Sequence, residues 1–272
     1  MSMRLLVDGE FGRYFDPLRT RGTLWVFQHV PKTAGSSLRG ELAASLLPNA
    51  HIHLDGTDPT IPYHDRLDRA VAGFVRGIGT TPCRFVSGHI FERHIRAIRA
   101  AAPQARVLTY LRDPVARFVS DYRYQRTPMS PGHEAFCRQY PTIDDFLALD
   151  WTGNQTTRYL LPEALFHAKD PEAAADHLLD RFEFVGLQED YGLCFVTLSR
   201  LLGIQRVPTE RQRENPSTPD NPAELTPEQR VRIAEANAFD QAVFDVIRGR
   251  FQAIRVELAR FLAERPKLAA NG

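Results

Sequence analysis

One lysine lies among small and hydroxyl-bearing residues in the segment FQHVPKTAGSS, residues 27–37. Lys32 supplies a mobile positive charge, and its neighbours supply hydroxyl donors and little side-chain bulk, so an anion can approach the backbone closely. The hydroxyl donors are Thr33, Ser36 and Ser37, and the small residues are Ala34 and Gly35. The segment predicts a phosphate site. An ordinary tight strand-to-helix turn uses the same residue types and stays open as the alternative on these residues alone.

The elements on either side of this segment favour the phosphate site. The apolar run TLWVFQHV (23–30) is typical of a buried strand and stops at Pro31. Leucines then recur every four residues from Leu38, which predicts a helix with Ser36 or Ser37 as its N-cap. In an open parallel sheet, ligands bind where strands end and helices begin, because free backbone N–H groups there favour anions.

Strands and helices alternate along the rest of the chain. Further strands are predicted at CRFVSGH (83–89), at 105–112 and at 182–187, with an irregular excursion over 49–66. Helices are predicted at about 65–78, after Asp113 as an N-cap with Pro114 at the first position, and over 194–203. This alternation predicts an α/β fold whose parallel sheet is covered by helices.

The last third of the chain predicts a loop followed by two helices. Residues 205–222 are polar and proline-rich, so they form a loop, which can act as a lid. Thr226 begins a capping-box sequence that opens one helix, and a longer apolar periodicity follows over 239–261. We expect a single domain over 1–272, with a core at about 22–203 and a C-terminal helical pair at about 226–264.

Composition narrows the classes of partner. The chain has 34 Lys and Arg against 33 Asp and Glu, so no charge excess favours nucleic acid or an anionic membrane, and any anion site is local. Cys83, Cys137 and Cys194 are too widely spaced for a metal knuckle and too few for a disulfide framework. The first residues lack the long apolar stretch of a signal peptide or membrane span, so we expect a cytoplasmic protein without stable membrane insertion.

The segment HVPKTAGSSL resembles the 5′-phosphosulfate loop of sulfotransferases that use 3′-phosphoadenosine 5′-phosphosulfate (PAPS). The resemblance is to the branch that contains the heparan sulfate 2-O-sulfotransferases. Arg112 and Ser120 in YLRDPVARFVSDY match a second signature of that branch, and Gly88 and His89 in FVSGHIF match a third. The similarity spans residues 24 to about 203 and includes blocks at 154–160 and 184–203. Ala34 departs from the glycine that is common in the loop.

The resemblance implies a P-loop-like three-layer fold with a central, mostly parallel sheet. It implies that Lys32 bonds the bridging oxygen of PAPS, while residues 33–37 hold the 5′-phosphosulfate and Arg112 and Ser120 clamp the 3′-phosphate. Sulfuryl transfer is mainly positioning and charge stabilisation, and we expect no metal. A surface ion pair of Arg112 is the plain alternative.

The resemblance also implies that His89 is the base that takes the proton of the acceptor hydroxyl, since an imidazole titrates near neutrality. His94 is the reserve candidate, so the choice between the two stays open. Asn154 and Arg158, in NQTTRYL, are implied acceptor-binding residues. Three further arginines, Arg93, Arg96 and Arg99, follow a helical spacing that fits either an anion-lined cleft or a solvated helix face.

These features predict a PAPS-dependent sulfotransferase that acts on a hydroxyl of a small molecule or glycan, with a carbohydrate as the preferred acceptor. An ATP-dependent small-molecule kinase is one alternative, although the loop lacks the order GxxxxGK[ST]. A catalytically silent nucleotide-binding module is the other. The acceptor's identity and the oligomeric state do not follow from the sequence.

Overall fold

The computed structural model describes residues 2–16, 22–33, 35–54, 60–204 and 224–264. Two sequence predictions lie outside the described residues: the polar loop at 205–222 and the role of Ala34 in the phosphate loop.

Five parallel strands form one sheet in the described residues, with the order β2-β3-β1-β4-β5. The strands are β1 (Trp25–Gln28), β2 (Asn49–Ile52), β3 (Phe85–Gly88), β4 (Arg106–Leu111) and β5 (Phe184–Leu187). All residues of β1, β3 and β5 are buried, as expected for strands that helices cover on both faces. The predicted α/β fold is confirmed, and every described strand pair is parallel.

Helices connect and cover the strands. In the first half of the chain they are α1 (Met3–Val7), α2 (Phe11–Tyr14), α3 (Gly35–Ser45), α4 (Tyr63–Gly77), α5 (Glu92–Ala101), α6 (Pro114–Gln125) and α7 (His133–Gln139). In the second half they are α8 (Ile143–Leu147), α9 (Gln155–Leu160), α10 (Glu163–Ala168), α11 (Pro171–Arg181), α12 (Tyr191–Leu202), α13 (Pro227–Ala236) and α14 (Ala238–Ala263).

The strand order creates a topological switch point between β1 and β4. The chain leaves β1 towards β2 at one edge of the sheet and leaves β4 towards β5 at the other edge. The loops that follow β1 and β4 therefore diverge and leave a crevice at the carboxyl ends of the two strands. Lys32 and Arg112 are in these two loops.

Two local predictions are wrong. Residues Asn49–Ile52 form the edge strand β2 instead of an irregular excursion, because parallel pairing with β3 outweighs a polar composition that is typical of loops. Helix α3 begins at Gly35, so Ser36 and Ser37 belong to its first turn and neither is its N-cap.

The caps of two other helices are confirmed. The Asp113 side chain accepts a 2.8 Å hydrogen bond from Ala116 N at the start of α6, and Pro114 is the first helical residue. Thr226 and Gln229 form the reciprocal capping box of α13. Helices α13 and α14 form the predicted C-terminal pair.

Helix α14 fixes the start of the short helix α9. The Asp240 carboxylate, which is buried, accepts hydrogen bonds of 2.8 Å from Thr156 N, 2.8 Å from Thr157 N and 2.7 Å from Thr157 Oγ1. These bonds satisfy two of the orphan amides at the N-terminus of α9. Asn154, which has a positive φ of 49°, accepts a 2.9 Å bond from Asp240 N in return.

Helix α6 packs on a small apolar cluster of its own. Phe118 and Tyr122 on α6 contact Phe146 of α8 and Ile233 of α13. This face of α6 is buried. Ser120 and Tyr124, each two residues further along and so on the opposite side of the helix, line the carboxyl edge of the sheet.

Candidate functional site

A cleft of about 2290 Å³ lies along the carboxyl ends of the strands. The loops after β1, β3 and β4 and the first turns of α3, α5 and α6 form its floor and walls. Eight of the residues predicted from the sequence line this cleft: Lys32, Gly35, Ser36, Ser37, His89, Arg112, Ser120 and Arg158.

Lys32 occupies the switch point in a strained conformation. Its φ of 70° lies in the left-handed region, which costs a non-glycine residue of order 1–3 kcal/mol. Arg112 Nη1 donates a 3.1 Å hydrogen bond to the Lys32 carbonyl oxygen and so ties the two switch-point loops together. The Lys32 ammonium is turned inwards, and its burial lowers the pKa of the side chain to about 8.

Gly35, the first residue of α3, is required by the packing of His29, whereas the sequence indicated that a small residue here lets an anion approach the backbone. A Cβ at Gly35 would overlap the ring of His29, which is buried directly beneath it. The Thr33 hydroxyl faces inwards and donates a 2.9 Å bond to the Val30 carbonyl, so it is not available to a ligand. Ser36, Ser37 and the first-turn amides of α3 are the groups that remain for an anion.

Arg112 and Ser120 lie on the other side of the crevice. Arg112 directly follows β4 and is half-buried, and burial lowers the pKa of its guanidinium. Ser120, about two turns along α6, and Arg123 also line the cleft, and the charge of Arg123 adds to the lowering of the pKa of Arg112. The α6 cap at Asp113 fixes the direction in which this helix leaves the sheet.

His89 follows β3 with a defined tautomer. Its Nδ1 lies 2.9 Å from the His29 carbonyl oxygen, and because a carbonyl only accepts, Nδ1 carries the proton. Nε2 is then unprotonated and can accept a proton. Burial lowers the pKa of His89, which keeps the neutral form present to a lower pH. The two imidazole rings of His89 and His29 contact each other at a centroid distance of 4.3 Å.

Besides Thr33, two predicted residues do not line the cleft. His94 is buried, its Nδ1 accepts a 2.9 Å bond from Phe91 N, and its Nε2 lies 2.6 Å from Asp68 Oδ1. These contacts fix the start of α5. Asn154 is bonded to the start of α14, since its backbone N–H donates a 3.1 Å hydrogen bond to Oδ1 of Asn237, the residue that precedes this helix. The hydrogen bonds of His94 and Asn154 therefore connect elements of the fold and do not face the cleft.

Of the three arginines of α5, two lie at the edge of the cleft and one lies away from it. Arg93 pairs with Asp68 at 2.9 Å and Arg96 with Glu92 at 3.0 Å, both at the edge of the cleft. Arg99 points away from the cleft and donates to the Arg181 carbonyl at 2.6 Å.

An aromatic surface that the sequence did not indicate lies on the β3 side of the cleft. The rings of Phe91 and Tyr159 stack at 4.3 Å and 16°. Tyr63 shares a hydrogen bond with the Tyr159 hydroxyl, and burial raises the pKa of both phenols. Arg158 lies nearby with its guanidinium 4.9 Å from the Phe166 ring. These residues come from helices α4, α9 and α10 and from the residue that precedes α5, so no spacing in the sequence connects them.

Helix α6 contributes three further residues to the site. The Tyr124 ring lies under the Lys32 ammonium, at 4.0 Å from Nζ to the ring centroid. Asp121 lines the cleft and lies 3.4 Å from the guanidinium of the fully buried Arg117. The spacing of Tyr124, four residues after Ser120 on the same helix face, is the one signal in the sequence that could have indicated it.

Within the described ranges, no three His, Cys, Asp or Glu side chains cluster in a way that could hold a metal ion. In the same ranges no helix is both long enough and apolar enough to cross a bilayer. The cytoplasmic location stays a prediction.

Comparison with known proteins identifies the fold. No family model matches the sequence, and no curated protein is significantly similar to it. A sulfotransferase from Alicyclobacillus acidocaldarius is similar in structure, with a TM-score of 0.50 and 17% identity over 83% of this chain and 96% of that chain. Mouse sulfotransferase SULT7A1, solved with 3′-phosphoadenosine 5′-phosphate (PAP), gives a TM-score of 0.43 and 13% identity over 89% and 88% of the two chains. The first likeness shows that this chain has a sulfotransferase-type α/β fold.

Proposed function

We propose that this protein is a sulfotransferase that moves a sulfuryl group from PAPS to a hydroxyl acceptor and releases PAP. The observation that carries the proposal is the convergence of Lys32, the first turn of α3 and the Arg112–Ser120 pair on one crevice at the switch point. The sulfotransferase-type fold is consistent with it.

The two sides of the crevice suit the two ends of PAPS. Lys32 and the first-turn amides of α3 suit the 5′-phosphosulfate, since an ammonium and a helix N-terminus both favour anions. Arg112 and Ser120 suit the 3′-phosphate, and Arg123 adds a second guanidinium on that side. The same 3′-phosphate distinguishes PAPS from ATP.

His89 and Lys32 then divide the chemistry between them. His89 Nε2 takes the acceptor's hydroxyl proton while the acceptor oxygen forms its bond to sulfur. The bond between sulfur and the 5′-phosphate oxygen breaks, and that oxygen keeps the electron pair. Lys32 stabilises the negative charge that develops there. His89 follows β3 and Arg112 follows β4, so the reacting centre lies between them, at the end of β1.

The aromatic and arginine side chains on the β3 side of the cleft favour a carbohydrate as the acceptor. The exposed ring of Tyr63, whose hydroxyl is hydrogen-bonded to Tyr159, offers an apolar surface for the face of a sugar ring, and Arg93 and Arg158 offer polar contacts at its edge. Phenols and other small hydroxyl compounds fit the same surface less fully, because they lack the several edge hydroxyls that these polar groups can bind.

A transfer assay tests this function. The protein is incubated with PAPS that carries a ³⁵S label and with a panel of glycans, lipids and phenols, and labelled products are separated. We expect transfer to at least one glycan. Arg112→Met should abolish it, whereas Arg126→Met, whose guanidinium binds the Pro141 carbonyl instead, should not.

Two other outcomes would favour the alternative functions. Turnover of ATP with Mg²⁺ and no transfer from PAPS would indicate a kinase. Binding of PAP without transfer to any acceptor would indicate a silent module.

A further inference from the structure

The ring of Tyr124 is the closest described π-face to the Lys32 ammonium. Lys32 Nζ lies 4.0 Å from the ring centroid, within the range of a cation–π interaction. The Tyr124 hydroxyl donates a 3.2 Å hydrogen bond to the Met129 carbonyl, which fixes the ring at the end of α6. The backbone of Lys32 is fixed as well, by its hydrogen bond from Arg112.

The charges around Lys32 both attract and repel its ammonium. The charged and titratable groups that act on it are Asp121, Arg112, Arg117, His29 and His89. Asp121 attracts Lys32, but its carboxylate also faces the buried guanidinium of Arg117 at 3.4 Å. Arg112 and Arg117 both repel the ammonium. A neutral π-face therefore adds attraction for an ammonium whose carboxylate partner is shared with Arg117 and whose other charged neighbours, Arg112 and Arg117, repel it.

A ring also has an advantage over a carboxylate at this position. A second acid beside Lys32 would repel the phosphosulfate and would compete with it for the ammonium. The attraction of a π-face is weaker than a charge-assisted hydrogen bond to an anionic oxygen. The ammonium is therefore held when no anion is bound and can be given up when one binds.

We propose that Tyr124 is the positioning residue of Lys32, and that its ring holds the ammonium in the cofactor-free cleft until the phosphosulfate takes it. The benefit of holding Lys32 in this way rests on the proposed sulfotransferase function, whereas the test below does not require any sulfate transfer.

The test measures the titration of Lys32 without any cofactor. The chain has three lysines, Lys32, Lys169 and Lys267, so each is resolved by pulsed amine labelling and mass spectrometry across a pH series. Tyr124→Leu keeps an apolar side chain but removes the π-face, and Tyr124→Phe keeps the π-face but removes the hydroxyl. Lys169, which lies over the Phe166 and Phe239 rings far from α6 in sequence, is the internal reference.

We expect the wild type and Tyr124→Phe to share a Lys32 titration near the pKa of about 8. In Tyr124→Leu it should fall by about one pH unit, the size of a partly desolvated cation–π interaction, while Lys169 does not move. Tyr124→Met serves in place of Leu if the Leu variant does not fold.

An unchanged Lys32 titration in Tyr124→Leu would overturn the inference, as would an equal fall in Tyr124→Phe, which would assign the effect to the hydroxyl. If no variant and no wild-type sample transfers sulfate, the proposed function fails, yet the labelling result still decides the role of Tyr124.

Discussion

At the scale of single residues, the backbone of Lys32 is the least expected feature of the site. Glycine is the residue that occupies a φ of 70° without strain, yet a lysine stands here, tied by Arg112. Strain of this kind persists where the surrounding structure holds it and where the side chain is needed. The charge of Lys32 is therefore the property that we expect the protein to require.

Replacing Lys32 separates the strain from the charge. We expect Lys32→Ala and Lys32→Gly both to lose sulfate transfer by orders of magnitude while they retain most of their affinity for PAP, because the main contribution of the ammonium is made in the transition state. Lys32→Gly should be more stable than Lys32→Ala by about 1 kcal/mol in urea unfolding, since only glycine adopts this φ freely. Wild-type turnover in either variant would contradict the role of the charge.

His89 gives a second prediction, which is a pH dependence. If His89 is the base, as proposed, transfer requires its neutral imidazole. Burial lowers the pKa of His89 below the usual 6.5, so the acidic limb of the rate profile should lie below pH 6.5. His89→Ala should transfer sulfate at least about a hundredfold more slowly and should lose this limb, while it binds PAP normally. Rates are measured between pH 4.5 and 8.

His94→Ala is the matched control for His89→Ala. It removes the bond from Phe91 N and the contact to Asp68, so it should lower stability by about 1–2 kcal/mol and leave the pH profile unchanged. A His94 variant without activity beside an active His89 variant would show that the base is misassigned.

The residue scale also shows how far the sequence could be interpreted. The cleft includes Lys32, His89 and Arg112 because strand ends meet at one edge of a parallel sheet, which the alternation of elements already predicts. Thr33 could not be placed, since residue type does not reveal that its hydroxyl turns to Val30. The contact of Tyr124 with Lys32 depends on how α6 packs against the β1 loop, which no local pattern contains.

At the scale of elements, strands and helices with strong apolar patterns were predictable and β2 was not. The sequence of β2 is polar, and Ile52 is the one buried residue of this strand, which pairs with β3 at an edge of the described sheet. The hydrogen bonds between α9 and α14 could not be predicted from the sequence either, since Asp240 and Thr156 are 84 positions apart in the chain. Long-range bonds of this kind position α9, which carries Arg158 and Tyr159 into the cleft.

Asp240→Ala tests this connection. The substitution leaves the Thr156 and Thr157 amides unpaired in a buried place, which should cost about 2–4 kcal/mol of stability. Because α9 carries Arg158 and Tyr159, KM for the acceptor should rise more than KM for PAPS. Thermal unfolding and steady-state kinetics with both substrates give the two readouts. Equal changes in the two KM values would show that α9 does not position the acceptor side.

At the scale of the whole molecule, buried histidines link stability to pH. Burial lowers the pKa values of His29, His89 and His94, so below pH 6.5 the unfolded chain binds more protons than the folded one. Stability should therefore fall as pH drops from 6.5 to 5, by up to about 1.4 kcal/mol per pH unit for each histidine.

The replacement His29→Leu isolates the largest of these contributions. It should make the pH dependence of urea unfolding shallower by about the slope of one histidine. An unaltered slope would show that His29 does not titrate between the folded and unfolded states as its burial requires.

The whole chain is close to electrically neutral, so its affinity for an anionic nucleotide has to come from the cleft. Thermal unfolding with PAP and with adenosine 5′-phosphate measures this most directly, because the two ligands differ only in the 3′-phosphate. At about 100 times its Kd, PAP should stabilise the protein by about 2.7 kcal/mol and raise Tm by about 5 °C or more, while adenosine 5′-phosphate at the same concentration does much less. Arg112→Met should remove the difference between the ligands. Equal stabilisation of the wild-type protein by both would contradict a 3′-phosphate clamp at Arg112 and Ser120, and with it the assignment of the cleft to PAPS.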